Sequence, residues 1–322
     1  MTQPPARRAG PPLPQPEPGA RRSGFACFVG RPNAGKSTLT NALVGSKVTI
    51  TSERPQTTRH TVRGIIHRPD AQLILVDTPG LHRPRTLLGQ RLNDLVRKTW
   101  AEVDVIGFCI PAGERVGPGD RFIAGELARI TATPVIVIVT KTDLAERSRV
   151  TEQLVAVQDL GRQAGLDVAH YVPVSAVGGF QVDVLADVLV GLLPEGPPLF
   201  PEGELTDEPE QVMVAELIRE AALAGVRDEL PHSLAVMVEE MLPRADRPAG
   251  KPLLDVHAYL YVERPSQKAI VIGSGGRRLK EVGTQARRHI EALLGTPVYL
   301  DLHVKVAKDW QRDPKQLRRL GF

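Results

Sequence analysis

Residues 30–37 read GRPNAGKS, and this stretch decides the fold because it matches the G-x-x-x-x-G-K-[ST] pattern of a phosphate-binding loop. The apolar run FACFVG at 25–30 predicts a strand before the loop, and residues 37–44 predict a helix after it. Glycines let backbone N–H groups turn inward around phosphate oxygens, aided by the helix N-terminus. The stretch therefore predicts a nucleotide phosphate site. Its candidate binding residues are Gly30, Asn33, Ala34, Gly35, Lys36, Ser37 and Thr38.

On the C-terminal side of this loop, apolar runs alternate with helical patterns as far as residue 193. The runs show little polar alternation, which is typical of strands covered on both faces of a parallel sheet. These runs are LILVD (73–77), VIGFCI (105–110) and PVIVIVT (134–140). Helical patterns lie at 87–102, 119–131, 150–164 and 181–193. The alternation predicts a doubly wound α/β domain with a mostly parallel sheet over residues 24–193.

A second, smaller domain is predicted over residues 210–310, after a Pro- and Glu-rich linker at 194–209. The predicted order is α-β-β-α-α-β, an α+β fold with a half-buried sheet. Helical patterns lie near 210–224 and on both sides of the loop GSGG, and strand patterns lie at 233–241, 255–264 and 298–307. The motif I-G-x-x-G between two helices is the arrangement of a type II KH domain, in which the loop clamps the backbone of single-stranded RNA.

Composition limits the remaining choices. The 322 residues are 42% hydrophobic and 24% charged, so a sizeable core is expected and wholesale disorder is excluded. No apolar stretch is long enough to predict a transmembrane helix, and no secretory signal is predicted. Cys27 and Cys109 are too few for a disulfide framework and are expected to be buried thiols in a reducing cytosol. The Pro- and Arg-rich residues 1–23 are predicted to be disordered.

Charge is distributed unevenly along the chain. The chain carries 41 Lys and Arg against 37 Asp and Glu, a net charge of +4. The segment from Arg247 onward holds 15 basic and 7 acidic residues, a net of +8, which leaves −4 for residues 1–246. A basic C-terminal part predicts a polyanionic partner. Its final residues, 311–322, form a basic C-terminal tail that is interpreted either as further RNA contacts or as a solvated helical end.

Three further short motifs, DTPG, TKTD and SAV, each follow a predicted strand, where open α/β sheets bind ligands. Together they indicate that the nucleotide is GTP. In DTPG (77–80), Asp77 is expected to hold Mg²⁺ through its hydration shell, and the Gly80 N–H is expected to face the γ-phosphate. In TKTD (140–143), a carboxylate can accept from the two N–H donors of guanine, which adenine does not match. The candidate base-binding residues are Thr140, Lys141, Asp143, Ser175, Ala176 and Val177.

In these motifs the chain resembles the translation-factor class of GTPases and, more closely, the Era family. The matching stretches are GRPNAGKSTLTNALVG, PQTTRH (55–60), DTPGLH (77–82), TKTD and SAV (175–177). The resemblance implies that PQTTRH is the first switch and that Thr58 closes on Mg²⁺ and the γ-phosphate. It implies catalytic roles for Lys36, Thr58 and Gly80, and Mg²⁺ ligation by Ser37, Thr58 and Asp77.

The resemblance also implies biological partners. These are the 3′ end of 16S ribosomal RNA and the 30S ribosomal subunit, whose maturation the protein assists. The resemblance further implies that the protein is a cytoplasmic monomer with loose, peripheral contact at the inner membrane surface. The candidate RNA-binding residues of the I-G-x-x-G segment are Ile270, Ile272, Gly273, Ser274, Gly275, Gly276, Arg277, Arg278 and Lys280.

Three positions affect the expected mechanism. Leu81 stands where many signalling GTPases have a water-orienting Gln, so slow hydrolysis of GTP to GDP is expected. Asn33 in the phosphate loop is the residue that helps bind K⁺ in related GTPases with this apolar replacement. Thr140 stands where the family usually has Asn, and its shorter side chain is expected not to bridge the base and the phosphate loop.

Two other functions remain open at this point. The chain is also compatible with an RNA-binding assembly scaffold in which GTP is structural. A weaker alternative is a P-loop ATPase or kinase that acts on RNA.

Overall fold

The computed structural model describes residues 21–52, 57–59, 61–81, 86–130, 132–224, 233–245 and 252–321. Residues 1–20 of the predicted disordered tail lie outside the described residues, while Arg22 and Ser23 begin the first strand. Pro55, Gln56 and His60 of the PQTTRH segment and His82 of DTPGLH also lie outside them.

The first domain is built on a six-stranded sheet. Its strands are β1 (Arg22–Val29), β2 (Val62–His67), β3 (Ala71–Asp77), β4 (Val105–Pro111), β5 (Val135–Thr140) and β6 (Val168–Pro173). The order is β2-β3-β1-β4-β5-β6, and every pairing is parallel except that of β2 with β3. This confirms the predicted mostly parallel sheet. Strand β2 was not predicted, because the short sequence VRGIIH carries an exposed Arg63 and a glycine instead of an uninterrupted apolar run.

Helices cover both faces of this sheet, as a doubly wound fold requires. They are α1 (Lys36–Val44), α2 (Leu87–Glu102), α3 (Pro118–Leu127), α4 (Arg147–Ala164) and α5 (Val182–Leu192). Helices α2, α3 and α4 share one core cluster with the sheet, and α1 and α5 share the other. Cys27 and Cys109 are both fully buried, and burial raises the pKa of the Cys109 thiol to about 12.

The segment predicted as a linker lies against the edge of the sheet. The backbone N–H groups of Leu199 and Phe200 donate to Gln72 Oε1 at 2.6 and 2.9 Å. The Ile65 N–H of β2 donates to the Leu205 carbonyl at 2.9 Å. Because an uncovered edge strand presents unpaired backbone groups, this packing protects the outer edge of β2.

The second domain has the predicted α-β-β-α-α-β order. Its elements are α6 (Glu210–Leu223), β7 (Ala235–Pro243), β8 (Leu254–Val262), α7 (Pro265–Ile272), α8 (Arg277–Leu294) and β9 (Val298–Val306). Strand β8 is central, antiparallel to β7 and parallel to β9. The helices bury alternate residues of the sheet, among them Val256, Ala258 and Leu260. None of the described helices is long and apolar enough to cross a membrane.

The segment expected as a basic tail contains a packed element. Helix α9 (Pro314–Arg319) begins with Asp313, whose side chain accepts from the Lys315 N–H at 2.8 Å. Trp310 and Leu317 are fully buried in a cluster that includes Leu88 of α2 and Tyr261 of β8. This C-terminal segment therefore packs against both domains.

Candidate functional site

The phosphate loop surrounds a cleft of about 400 Å³ at the C-terminal end of β1. Gly35 has a φ of 87° and precedes α1, so the first N–H groups of the helix face the cleft. Gly30 also has a positive φ, and a Cβ there would lie 2.5 Å from the Cys109 carbonyl oxygen. Lys36 is buried, and its Nζ donates to the Gly30 and Arg31 carbonyls at 3.3 and 3.0 Å. The loop therefore has the form of a phosphate cradle with one ammonium group.

A cluster of hydroxyl groups around one carboxylate lies beside that ammonium. Asp77 Oδ2 accepts from Ser37 Oγ at 2.7 Å, from Thr49 Oγ1 at 2.9 Å and from Thr58 Oγ1 at 3.3 Å. Ser37 Oγ and Thr58 Oγ1 are 3.0 Å apart. The cluster joins the phosphate loop, the PQTTRH segment and the end of β3.

The cluster fits Mg²⁺. Asp77 is fully buried, and its Oδ1 atom has no hydrogen-bond partner among the described residues. Burial raises the pKa of the Asp77 carboxyl, while its three hydroxyl donors and Lys36 oppose the rise. Hydroxyl and carboxylate oxygens with phosphates are the usual Mg²⁺ environment in nucleotide enzymes. No group of three His, Cys, Asp or Glu side chains suited to a metal occurs in the described ranges, so a dedicated protein-only cage is not present there.

A second pocket of about 120 Å³ adjoins the phosphate cleft and shares Gly35, Thr38 and Lys141 with it. Asp143 and Ala176 also line this pocket. Ser175 Oγ donates to Asp143 Oδ1 at 2.6 Å and accepts from the Gly178 N–H at 2.8 Å. The structure thus brings the TKTD and SAV motifs together and orients one carboxylate beside a slot suited to a flat base.

Thr140 corrects one expectation. The shorter side chain was expected not to bridge the base and the phosphate loop, and for the loop this was wrong, because Thr140 Oγ1 donates to the Ala34 carbonyl at 2.7 Å. The closeness of β5 to the loop makes this bond possible, since a Cβ added to Gly35 would lie 3.7 Å from the Thr140 side chain. The hydroxyl therefore retains the connection to the loop.

Several residues that line the cleft belong to none of the sequence motifs. The Thr49 hydroxyl donates a hydrogen bond to Asp77, and residues 50–52, which follow it, line the cleft. The cleft residues that sequence reasoning missed are Pro32, Ile50, Thr51, Ser52 and Thr57. The run KVTITS (47–52) is an ordinary mixed segment, and only the fold shows that it faces the nucleotide site.

The predicted RNA loop is an exposed turn between α7 and α8. Gly273, Gly275 and Gly276 all have positive φ values, and a Cβ on Gly273 would lie 2.7 Å from the Cβ of Arg278. Arg277 and Lys280 are exposed beside the turn, as are Ser274 and Ile270. The turn is therefore open to an approaching backbone.

Arg278 was predicted to bind RNA, but the structure shows its side chain bonded to the end of a helix. Its Nη2 donates to the carbonyls of Ala222 and Ala224 at 3.2 and 2.8 Å, at the C-terminal end of α6. A cation at that position caps orphan helix carbonyls. Arg277 and Lys280 remain as the exposed cations of the loop.

Comparisons with known proteins agree with this geometry. A family model described as 50S ribosome-binding GTPase matches residues 25–141, and a KH domain model matches residues 229–311. GTPase Era of Streptomyces coelicolor is 76% identical over 94% of this chain and 95% of its own length. GTPase Era of a Nocardioides species is 69% identical over 96% of this chain and 98% of its own.

Solved structures show the same two-domain fold. A crystal structure of Era in complex with MgGDPNP and nucleotides 1506–1542 of 16S ribosomal RNA has a TM-score of 0.87 at 38% identity. It covers 94% of this chain and 99% of that one. An Aquifex aeolicus Era variant bound to GDP and AlF4⁻ also has a TM-score of 0.87, at 38% identity, and covers 93% and 99% of the two chains.

The fold and the site define a P-loop GTPase domain joined to a KH domain. The high identity extends over nearly the full length of both chains. This chain belongs to the GTPase Era family, and it hydrolyses GTP.

Proposed function

We propose that this protein is a GTP-dependent switch that binds the 3′ region of 16S ribosomal RNA through its KH domain and assists maturation of the 30S subunit. The observation that carries the proposal is the exposed glycine turn beside Arg277 and Lys280, in the same chain as a cleft lined by the phosphate loop. Glycines permit close approach of an RNA backbone, and the cations attract its phosphates.

The choice of the small subunit rests on the relative that contains RNA. The GTPase-domain family is described as binding the 50S subunit, but its model covers only residues 25–141. The relative solved with 16S ribosomal RNA matches 94% of this chain, which includes the KH domain. Because the KH domain is the part suited to RNA, the second comparison is the better guide.

In the proposed reaction, the phosphate loop binds GTP and Lys36 neutralises charge on the β- and γ-phosphates. Ser37, Asp77 and Thr58 would hold Mg²⁺, which supplies further positive charge to the phosphates when bound. We expect the Gly80 N–H to contact the γ-phosphate, and the closeness of Gly80 to Lys36 supports this, since a Cβ on Gly80 would lie 3.3 Å from Lys36 Nζ. When the γ-phosphate leaves, the segments of Thr58 and Gly80 lose this anchor, as in other GTPase switches.

Leu81 supports slow intrinsic turnover. Its side chain is buried in the same core cluster as Val29 and Val76 and therefore cannot orient an attacking water. In the proposed function, slow GTP hydrolysis sets how long the protein stays in its GTP-bound state. We place it in the cytosol as a monomer, with peripheral contact at the membrane as a further proposal.

RNA binding is testable at the glycine turn. Replacing Ser274 and Gly275 with Asp is expected to weaken binding of a 16S 3′-end oligonucleotide about 100-fold or more, because two carboxylates would repel the RNA backbone. Filter binding or fluorescence anisotropy at several salt concentrations measures this, and wild-type affinity should fall steeply with salt. A control with Ser148→Asp and Gln163→Asp adds the same charge to exposed positions of α4 and should bind normally. If the Ser274 and Gly275 double variant bound the oligonucleotide as tightly as the wild type, the glycine turn would not be the RNA-binding site.

The Asn33 proposal predicts a monovalent-cation effect. Asn33 lies in the phosphate loop with a φ of 63° and lines the cleft. If its side chain helps bind K⁺ beside the phosphates, hydrolysis should be roughly tenfold faster in KCl than in NaCl of equal concentration. Asn33→Ala should remove the difference between the rates in the two salts. Identical wild-type rates in the two salts would contradict the proposal.

A further inference from the structure

Residues 57–59, the described part of the PQTTRH segment, lie between the nucleotide cleft and the second domain. The Thr58 hydroxyl faces Ser37 and Asp77, as described above. On one side of it, the Thr57 carbonyl accepts from Arg219 Nη2 of α6. Helix α6 thus contacts the backbone immediately before the residue proposed to ligate Mg²⁺.

On the other side of Thr58, Arg59 enters the second domain. Its side chain is 1% exposed, and its Nη1 donates to the Leu234 carbonyl at 2.6 Å. Its guanidinium carbon lies 5.6 Å from the centroid of the Trp310 ring, within cation–π range. The guanidinium of arginine stays protonated in proteins, so a positive charge is buried here. A buried charge is costly unless its environment compensates, and this environment does so only if the two domains stay together.

Trp310 is itself fixed by both domains. The side chain is fully buried, and its Nε1 donates to the Ser233 carbonyl at 2.9 Å. It shares an apolar cluster with Leu88 and Leu92 of α2, and the Leu88 N–H donates to the Gln311 carbonyl at 3.2 Å. Helix α2 is the first described helix after DTPG, so the C-terminal segment contacts both the PQTTRH segment and the helix that follows DTPG.

We propose that Arg59 is a positioning residue for GTP hydrolysis, and that Leu234 and Trp310 of the second domain hold it so that Thr58 stays beside Ser37 and Asp77. Because consecutive Cα atoms stay a fixed distance apart, anchoring Arg59 on the second domain limits the positions that Thr58 can take. The KH domain and the C-terminal segment therefore complete the hydrolytic site from outside. This inference rests on the role proposed for Thr58.

The first experiment replaces Arg59 with Met or Lys in the full-length protein. Arg59→Met is expected to lower kcat about 10- to 100-fold, since a small misplacement of a positioned group has effects of this size. Affinity for GDP should stay within about twofold, because the phosphate loop and the base pocket are unchanged, and half-maximal turnover should require more Mg²⁺. The kcat of Arg59→Lys should lie between those of Arg59→Met and the wild type, because an ammonium keeps the charge but not the planar geometry of the guanidinium. Arg129→Met, at an exposed position of the first domain, is the matched control and should hydrolyse GTP normally.

The second experiment uses Trp310 as a spectroscopic reporter. The chain has two tryptophans, Trp100 and Trp310, so Trp100→Phe leaves one. In that background, the emission of Trp310 should differ between the GDP and GTP-analogue states, and Arg59→Met should abolish the difference. Trp310→Leu should lower kcat to a similar extent as Arg59→Met. The double variant should be no slower than either single variant, because both substitutions remove the same contact between Arg59 and Trp310.

A buried residue of the second domain distinguishes positioning from loss of stability. Ile290→Ala removes core volume from α8 without touching Arg59, and it should lower the unfolding temperature while kcat is retained. The inference is overturned if Arg59→Met hydrolyses GTP at the wild-type rate, or if Ile290→Ala is as slow as Arg59→Met. If Thr58→Ala abolishes hydrolysis while Arg59→Met does not, the positioning role fails and the proposed function stands. If Thr58→Ala is fully active, the role proposed for Thr58 fails first.

Discussion

Asp143→Asn is expected to weaken GTP binding by roughly 10³-fold or more. We expect the Asp143 carboxylate, held by Ser175 at 2.6 Å, to accept from the two N–H donors on the edge of guanine. An Asn amide offers one acceptor and a donor that faces another donor, and sites built on such hydrogen bonds reject a mismatch strongly. Calorimetry with Mg²⁺ present measures the loss directly.

A change in base specificity provides the internal check on this result. Xanthine has a carbonyl where guanine has its exocyclic amine, so the variant should bind XTP more tightly than GTP. Asp159→Asn, the same substitution at an exposed position of α4, should leave both affinities unchanged. If wild-type protein bound ATP as tightly as GTP, the base pocket would not select guanine and the role proposed for Asp143 would be wrong.

Lys36→Ala is expected to lower GTP turnover about 10³-fold. We expect the buried Lys36 ammonium to neutralise phosphate charge, and removing a preorganised charge from a transition state typically costs a factor of this size. Single-turnover hydrolysis at saturating GTP measures the effect. Lys98→Ala, at an exposed position of α2, is the control and should be normal.

The same variant separates the switch from the scaffold. Lys36 is in the first domain and the glycine turn is in the second, so affinity of Lys36→Ala for the 16S 3′-end oligonucleotide should stay within about twofold. A switch that cannot hydrolyse GTP should then remain bound to immature small-subunit particles, which sedimentation detects. Normal release and normal subunit maturation by Lys36→Ala would support the scaffold, in which GTP is structural.

The sequence predicted those parts of the molecule that depend on local chemistry. The phosphate loop, the alternation of apolar runs with helices, and the α-β-β-α-α-β order all follow from residue spacing, and the structure confirms each of them. Strand β2 was missed because an edge strand buries less and carries polar residues. Its neighbour, the linker, was predicted from Pro and Glu content, which does not indicate that Leu205 pairs with Ile65.

Contacts between distant parts of the chain were not predictable. Thr140 was judged by the length of its side chain, but the approach of β5 to the phosphate loop brings its hydroxyl to the Ala34 carbonyl. Arg278 was assigned by its place in a basic run, but the end of α6 supplies two carbonyls for it. The high charge of the final residues concealed an amphipathic segment, in which Trp310, Leu317 and Leu320 are buried. Each of these outcomes depends on tertiary placement.

The burial of Arg59 against Trp310 has a consequence for protein synthesis. Translation proceeds from the N-terminus, and domains generally fold in that order as they emerge. The first domain contains its whole sheet before Trp310 has been polymerised, so a nascent chain can fold around the phosphate loop while the indole that shelters Arg59 does not yet exist. The environment observed around this guanidinium is therefore available only to chains whose translation has passed that tryptophan.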